Sequence, residues 1–153
     1  MADFRLLHEG CTHHKLLGLD LVFGGAMSLQ YDPDRHVDPD AWFEFDEFER
    51  IEAVKEYHRR AKVRLPNAIL HATTHVIVEN QVALGDAYPV QSVLFRLMEE
   101  GLSRHDAIHA IGLVLAERLF AGLREEGQPA DLNAEYLEKL NRLTAESWGE
   151  QAE

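Results

Sequence analysis

From Asp46 onward, apolar residues recur every three or four positions, in runs opened by capping residues and closed by proline or glycine. This punctuation constrains the fold more than any other feature of the chain, because it admits helices and little else. Asp46 with Glu49 makes a capping-box start, and Phe48, Ile51, Val54, Tyr57, His58 and Ala61 keep helical spacing as far as Pro66. Asn67 can cap a second helix with a stripe of Leu70, Thr74, Ile77, Val78 and Val82, ended by Gly85. Pro89 suits the first turn of a third, short helix that runs to Gly101. Ser103 with Asp106 forms another capping box and opens a fourth helix through Leu123. Asp131 can cap a fifth, with Leu132, Tyr136, Leu140 and Leu143 on one side. The expected fold is all-α, or nearly so: about five helices in a small bundle, with residues 46–153 as its helical part.

Residues 1–45 read differently. Leu19 to Phe23 and Ala26 to Tyr31 flank Gly24-Gly25, which suits a two-residue hairpin. A short buried helix is the alternative, because periodicity does not arbitrate so short a run. The stretch from Tyr31 to Asp40 is a loop by its proline and aspartate content. No internal repeat and no domain linker is visible, so this segment is expected to pack on the helical part as one domain.

Composition bounds the function. A chain of 153 residues, 46% hydrophobic and 27% charged, is too apolar for disorder and large enough to bury a core. No apolar stretch approaches the roughly 20 residues that span a bilayer, and Met1-Ala2-Asp3-Phe4-Arg5 lacks the layout of a signal peptide. A lone cysteine, Cys11, leaves no intramolecular disulfide framework. The expectation is a cytoplasmic protein with no membrane role. A net charge of −12 argues against nucleic acid as a partner. The one dense basic run, Arg59, Arg60, Lys62 and Arg64, follows Glu49, Glu52 and Glu56 and reads as a charge-balanced solvated face. Nine histidines in so acidic a chain point instead toward divalent cations.

Two histidine pairs carry that reading. The second helix contains His71, His75 and Glu79 at i, i+4 and i+8, which stacks all three along one face. The fourth contains His105 and His109 at the same spacing, followed on that face by the small residues Gly112 and Ala116, which let a neighbouring helix approach. Two chelating pairs on facing helices would make a site of four nitrogens, with Glu79 adding an oxygen. His105 also sits in a first helical turn, where the dipole favours the neutral imidazole that binds metal. The plainer alternative is that all four are hydrogen-bonded core residues, with Glu79 in a supporting or solvated position and Asp106 as the capping acid.

The other histidines carry less. His8, Cys11, His13 and His14 lie close together, but no second half with zinc-finger spacing follows, so they read as solvated residues. His58 shares a face with Val54 and Ala61 and reads as packed, or paired with a glutamate, rather than ligating. His36 falls in the acidic loop and is expected to be exposed. The His71 pair has the spacing of the zinc-protease helix, but Ala72 stands where that motif has its general-base glutamate. An all-histidine, carboxylate-flanked site suits zinc, iron or nickel.

The stretch from Tyr57 to Leu119 resembles an uncharacterised bacterial family of small helical proteins, a domain of unknown function. The resembling residues are His71, His75 and Gln81 on one helix and His105 and His109, followed by Ala110-Ile111, on another. The resemblance implies no activity; it implies that these histidines and Gln81 act together.

The functional expectation is a metal-binding helical protein that holds a divalent transition metal through His71, His75, His105, His109 and Glu79. Its rivals are a metal-dependent hydrolase with Asp106 or Glu79 as general base, and a metal-free helical adaptor. The apolar pattern ending at Trp148 leaves room for a homodimer interface.

Overall fold

A computed structural model describes residues 28–124 and 132–152 of the chain. Those residues are helical, with no strand among them. The order is α1 (Pro39–Glu44), α2 (Glu47–Arg60), α3 (Ala68–Ala83), a 3-10 turn at Gly85–Ala87, α4 (Val90–Glu99), α5 (Arg104–Arg124), α6 (Leu132–Arg142) and α7 (Ala145–Ala152). The all-helical expectation holds. The expected number of helices does not, because seven α-helices lie among the described residues. The hairpin expected around Gly24-Gly25 and the His8 to His14 group lie outside them.

The two extra helices have local causes. Pro39 opens α1 at its first position, where its missing N–H is no loss, and the Asp38 carboxylate accepts the Ala41 N–H at 2.9 Å. This corrects the reading of residues 31–40 as loop throughout. The fifth helix divides at Leu143-Thr144: the Thr144 hydroxyl accepts the Ser147 N–H at 3.1 Å while the Ser147 hydroxyl accepts the Thr144 N–H at 3.0 Å, a reciprocal cap that starts α7 afresh.

Other ends follow the sequence signals. The Asp46–Glu49 capping box is complete, with both reciprocal bonds at 2.8 Å. Asn67 caps α3 through the Leu70 N–H at 3.0 Å. Helix α2 ends before Pro66, in a closure that puts Lys62 at φ 58° and returns the Val63 N–H to the His58 carbonyl at 3.0 Å. Phe48 leads the expected α2 stripe but is exposed; Ala53, Val54 and His58 form the buried face instead.

Helix α3 lies at the centre and is buried nearly all round, from His71 to Val82. One side meets a core of Tyr31, Trp42, Ala53 and Val54 from the first loop, α1 and α2. The other meets the larger core of α4, α5, α6 and α7, which includes Leu94, Leu97, Ile108, Ile111, Leu115 and Leu140. Trp148 is buried in this second core, so within the chain it already has the packing that the homodimer expectation left open. Arg96 ties α4 to α6 by donating to the Leu143 and Leu140 carbonyls at 2.6 and 3.0 Å. Five buried histidines lie where α2, α3 and α5 meet.

A candidate metal centre of five histidines

Helix α3 contributes His71 and His75 and helix α5 contributes His105 and His109, one turn apart in each case. These helices close tightly because α5 carries Gly112 at the crossing: a Cβ there would sit 2.8 Å from the Thr74 Cγ2. The two pairs therefore face each other, as the small-residue reading of Gly112 expects. A fifth imidazole, His58 from α2, completes the group. Potential ligating atoms of His58, His71, His75, His105 and His109 all lie within 4.8 Å of one another, and all five residues are buried. Five buried histidines are thus close enough to hold a metal ion.

Hydrogen bonds fix which nitrogen faces inward. The His58 Nδ1 lies 2.9 Å from the Val54 carbonyl oxygen, which can only accept, so Nδ1 carries the proton and Nε2 keeps its lone pair. That Nε2 lies 3.0 Å from the His71 Nε2 and 3.3 Å from the His105 Nε2. The Tyr31 hydroxyl donates to the Glu79 Oε1 at 2.9 Å, so its oxygen accepts from the His75 Nδ1–H at 3.1 Å. The His75 Nε2, buried, has no hydrogen-bond partner. A buried nitrogen lone pair without a donor is costly unless something electrophilic meets it.

Burial holds His58, His71 and His75 neutral. His71 is pushed down to about 2, first by loss of water and then by the His109 and His58 imidazoles. His75 lies well below the ordinary histidine value for the same first reason, with His71, His109, His105 and His58 adding to it. Burial lowers His58 too, against the opposing pull of its bond to the Val54 carbonyl. Neutral imidazole is the form that binds metal.

Glu79 stands one turn beyond His75, and the structure gives it other work. Arg104 clamps both its oxygens, Nη1 to Oε1 at 2.8 Å and Nη2 to Oε2 at 2.7 Å, in a pair that is fully buried on the Glu79 side. The remaining contact, from Tyr31, makes Glu79 the end of a relay that runs through Tyr31 to His75. Burial and the Glu79 charge raise the Tyr31 hydroxyl well above its ordinary value, so it keeps its proton. Arg104 also donates to the Pro33 carbonyl at 2.7 Å, which anchors the Tyr31 loop. Sequence reasoning missed His58, Tyr31 and Arg104. The one signal for His58 was its place on the buried stripe after Val54.

Asp106 accepts the Ser103 hydroxyl at 2.7 Å, and its N–H donates to the same oxygen at 3.0 Å, so the Ser103 hydroxyl caps the first turn of α5. Among the described residues, no carboxylate joins the imidazole group. Gln81 accepts the Tyr136 hydroxyl at 2.8 Å and serves the contact of α3 with α6. His36 is exposed, with its ring 5.6 Å from that of Phe95.

No family model, curated protein or solved structure matches the chain. The resemblance of residues 57–119 therefore rests on their own motifs.

Proposed function

We propose that the protein binds a divalent transition-metal ion through His58, His71, His75, His105 and His109. The observation that carries this reading is the convergence of five buried imidazoles whose ligating atoms lie within 4.8 Å of one another. A core of hydrogen-bonded histidines would pair each ring nitrogen with a donor or acceptor; the His75 Nε2 has neither. The neighbouring Nε2 separations of 3.0 and 3.3 Å match donors on one ion, since metal–nitrogen bonds of about 2.1 Å place adjacent donors roughly 3.0 to 3.4 Å apart.

The set is nitrogen only, which suits zinc, iron or nickel better than a hard cation. Five neutral donors add no negative charge, so they favour a 2+ over a 3+ ion. Glu79 supports the site from behind His75, a contact of the kind that orients a ligand and raises its basicity. Asp106 and Glu79, the two candidate general bases, are committed to Ser103 and Arg104, so the reading is of a binding site without an assigned reaction.

Elemental analysis of protein purified without a histidine tag tests this. The expected result is close to one transition-metal ion per chain. Less than a tenth of an equivalent after incubation with zinc, iron and nickel would overturn it in favour of a metal-free helical core.

A further inference from the structure

The five histidines are between 1% and 6% exposed, so an ion does not reach their nitrogens while every helix stays in place. Part of the fold must move to admit it, and the two sides of the site are held with unequal firmness. Helices α3 and α5 cross closely at Gly112, where a Cβ would sit 2.8 Å from the Thr74 Cγ2. The larger core, with Leu94, Ile108, Ile111 and Leu140 buried, packs them further against α4 and α6. These two helices supply four of the five imidazoles.

The fifth comes from a thinner layer made of the first loop, α1 and α2. Its apolar anchorage is the smaller core, where Tyr31, Trp42, Ala53 and Val54 meet Ala72 and Val76 of α3. Its polar ties to α3 include the Trp42 indole N–H and the Arg50 Nη1, which both donate to the Asn80 Oδ1 at 2.8 Å. Helix α2 meets α5 through Tyr57 and His58, whose rings lie 5.9 and 5.3 Å from that of His105. The turn over residues 61–67, with Lys62, Arg64, Pro66 and Asn67 exposed, joins the layer to α3 as a hinge would. An element with few buried apolar contacts opens at lower cost than the rest of a fold.

Occupancy changes that cost. In the metal-free protein the junction buries polar rings, and the His75 Nε2 there has no hydrogen-bond partner. Water admitted by an open layer recovers part of that desolvation cost. With an ion present the balance reverses, because His58 reaches it only when α2 is closed. We propose that residues 28–60 are the door of the metal site: the layer swings from α3 and α5 to admit the ion, and ligation by His58 locks it shut. The inference rests on the metal-binding reading and deepens it, since metal supply is then read out as order in α1 and α2.

Hydrogen exchange of the full-length protein, metal-free and zinc-loaded, tests the proposal, with nickel or ferrous iron as the probe should zinc not bind. An open form that keeps only the α3 and α5 ligands lacks the affinity that His58 adds. Zinc should therefore slow exchange in α1 and α2 by at least about 10-fold, with far smaller changes in α4 and α6. His58→Ala, saturated with zinc, should lose the added protection in α2 while α3 and α5 keep theirs. Asn80→Ala removes two ties of the layer and no candidate ligand, so zinc release to excess chelator should be about 5-fold faster or more. Protection that rises equally in all helices, is confined to α3 and α5, or persists in α2 of His58→Ala would overturn the inference and leave metal binding intact. Release from Asn80→Ala at the parent rate would overturn it as well. A chain that takes none of zinc, iron or nickel would instead remove the metal reading on which it stands.

Discussion

His58 stands apart from the other four rings because it has no partner one turn away on its own helix. Its Nε2 nevertheless lies within 3.3 Å of two other site nitrogens, and the Val54 carbonyl fixes its tautomer. His58→Ala should therefore weaken metal affinity by more than the roughly 10- to 100-fold typical of losing a group that only supports a ligand. His36→Ala should leave affinity unchanged. Competition with a chromogenic chelator measures both; equal affinities for the parent and the His58 variant would show that the ion does not use α2. The Glu79–Arg104 pair makes a separate prediction. Removing one member of a buried ion pair commonly costs about 3–5 kcal/mol, so Glu79→Ala should lower the urea-unfolding free energy by that order. A loss under about 1 kcal/mol would mean that water reaches Arg104 freely.

At the scale of the helix, the α3–α5 crossing sets the distance between the two histidine pairs. Gly112→Ala places a methyl group 2.8 Å from the Thr74 Cγ2, so the helices must part or Thr74 must turn. Overpacking of this kind costs about 1–3 kcal/mol, and metal affinity should fall with it. Thr74→Ser removes the opposing methyl and keeps the hydroxyl that donates to the Leu70 carbonyl. The double variant should recover most of both losses in thermal melts and metal titration; no recovery would mean that the crossing is not what limits the site. Helix identity and the facing pairs were legible in the sequence because i, i+4 spacing and capping residues are local signals. Helix α1 was not, since six residues are too few to show a period and its stability comes from Trp42, whose indole N–H bonds Asn80 at 2.8 Å. The role of Glu79 was hidden for a similar reason. Its face of α3 was readable, but Tyr31 and Arg104, which meet it there, come from 48 and 25 residues away.

Across the whole molecule, the imidazole group joins three helices and sits between two apolar cores. No helix among the described residues is long and apolar enough to cross a membrane. Burying His58, His71 and His75 at this junction, where they are held neutral, makes the stability of the metal-free protein pH-dependent. His58, His71 and His75 have folded values below their ordinary 6.5, so on acidification the unfolded chain gains protons first. Stability should be fully present above pH 6.5 and fall as the pH drops below it. The slope should be about 1.4 kcal/mol per pH unit for each ring kept neutral. Denaturant melts at pH 7, 6 and 5 would show it; a flat profile would mean that the rings are solvated. Bound metal should steepen the loss, because protons then also compete for the ligand nitrogens.

X-ray absorption at the edge of the bound metal tests the central claim most directly, because it reads the donors around the ion itself. A centre made by His58, His71, His75, His105 and His109 predicts a first shell of light donors at about 2.0–2.2 Å, with the outer-shell scattering of five imidazole rings and no sulfur. A shell with two or fewer imidazoles, or one containing a thiolate, would place the metal elsewhere and contradict the account.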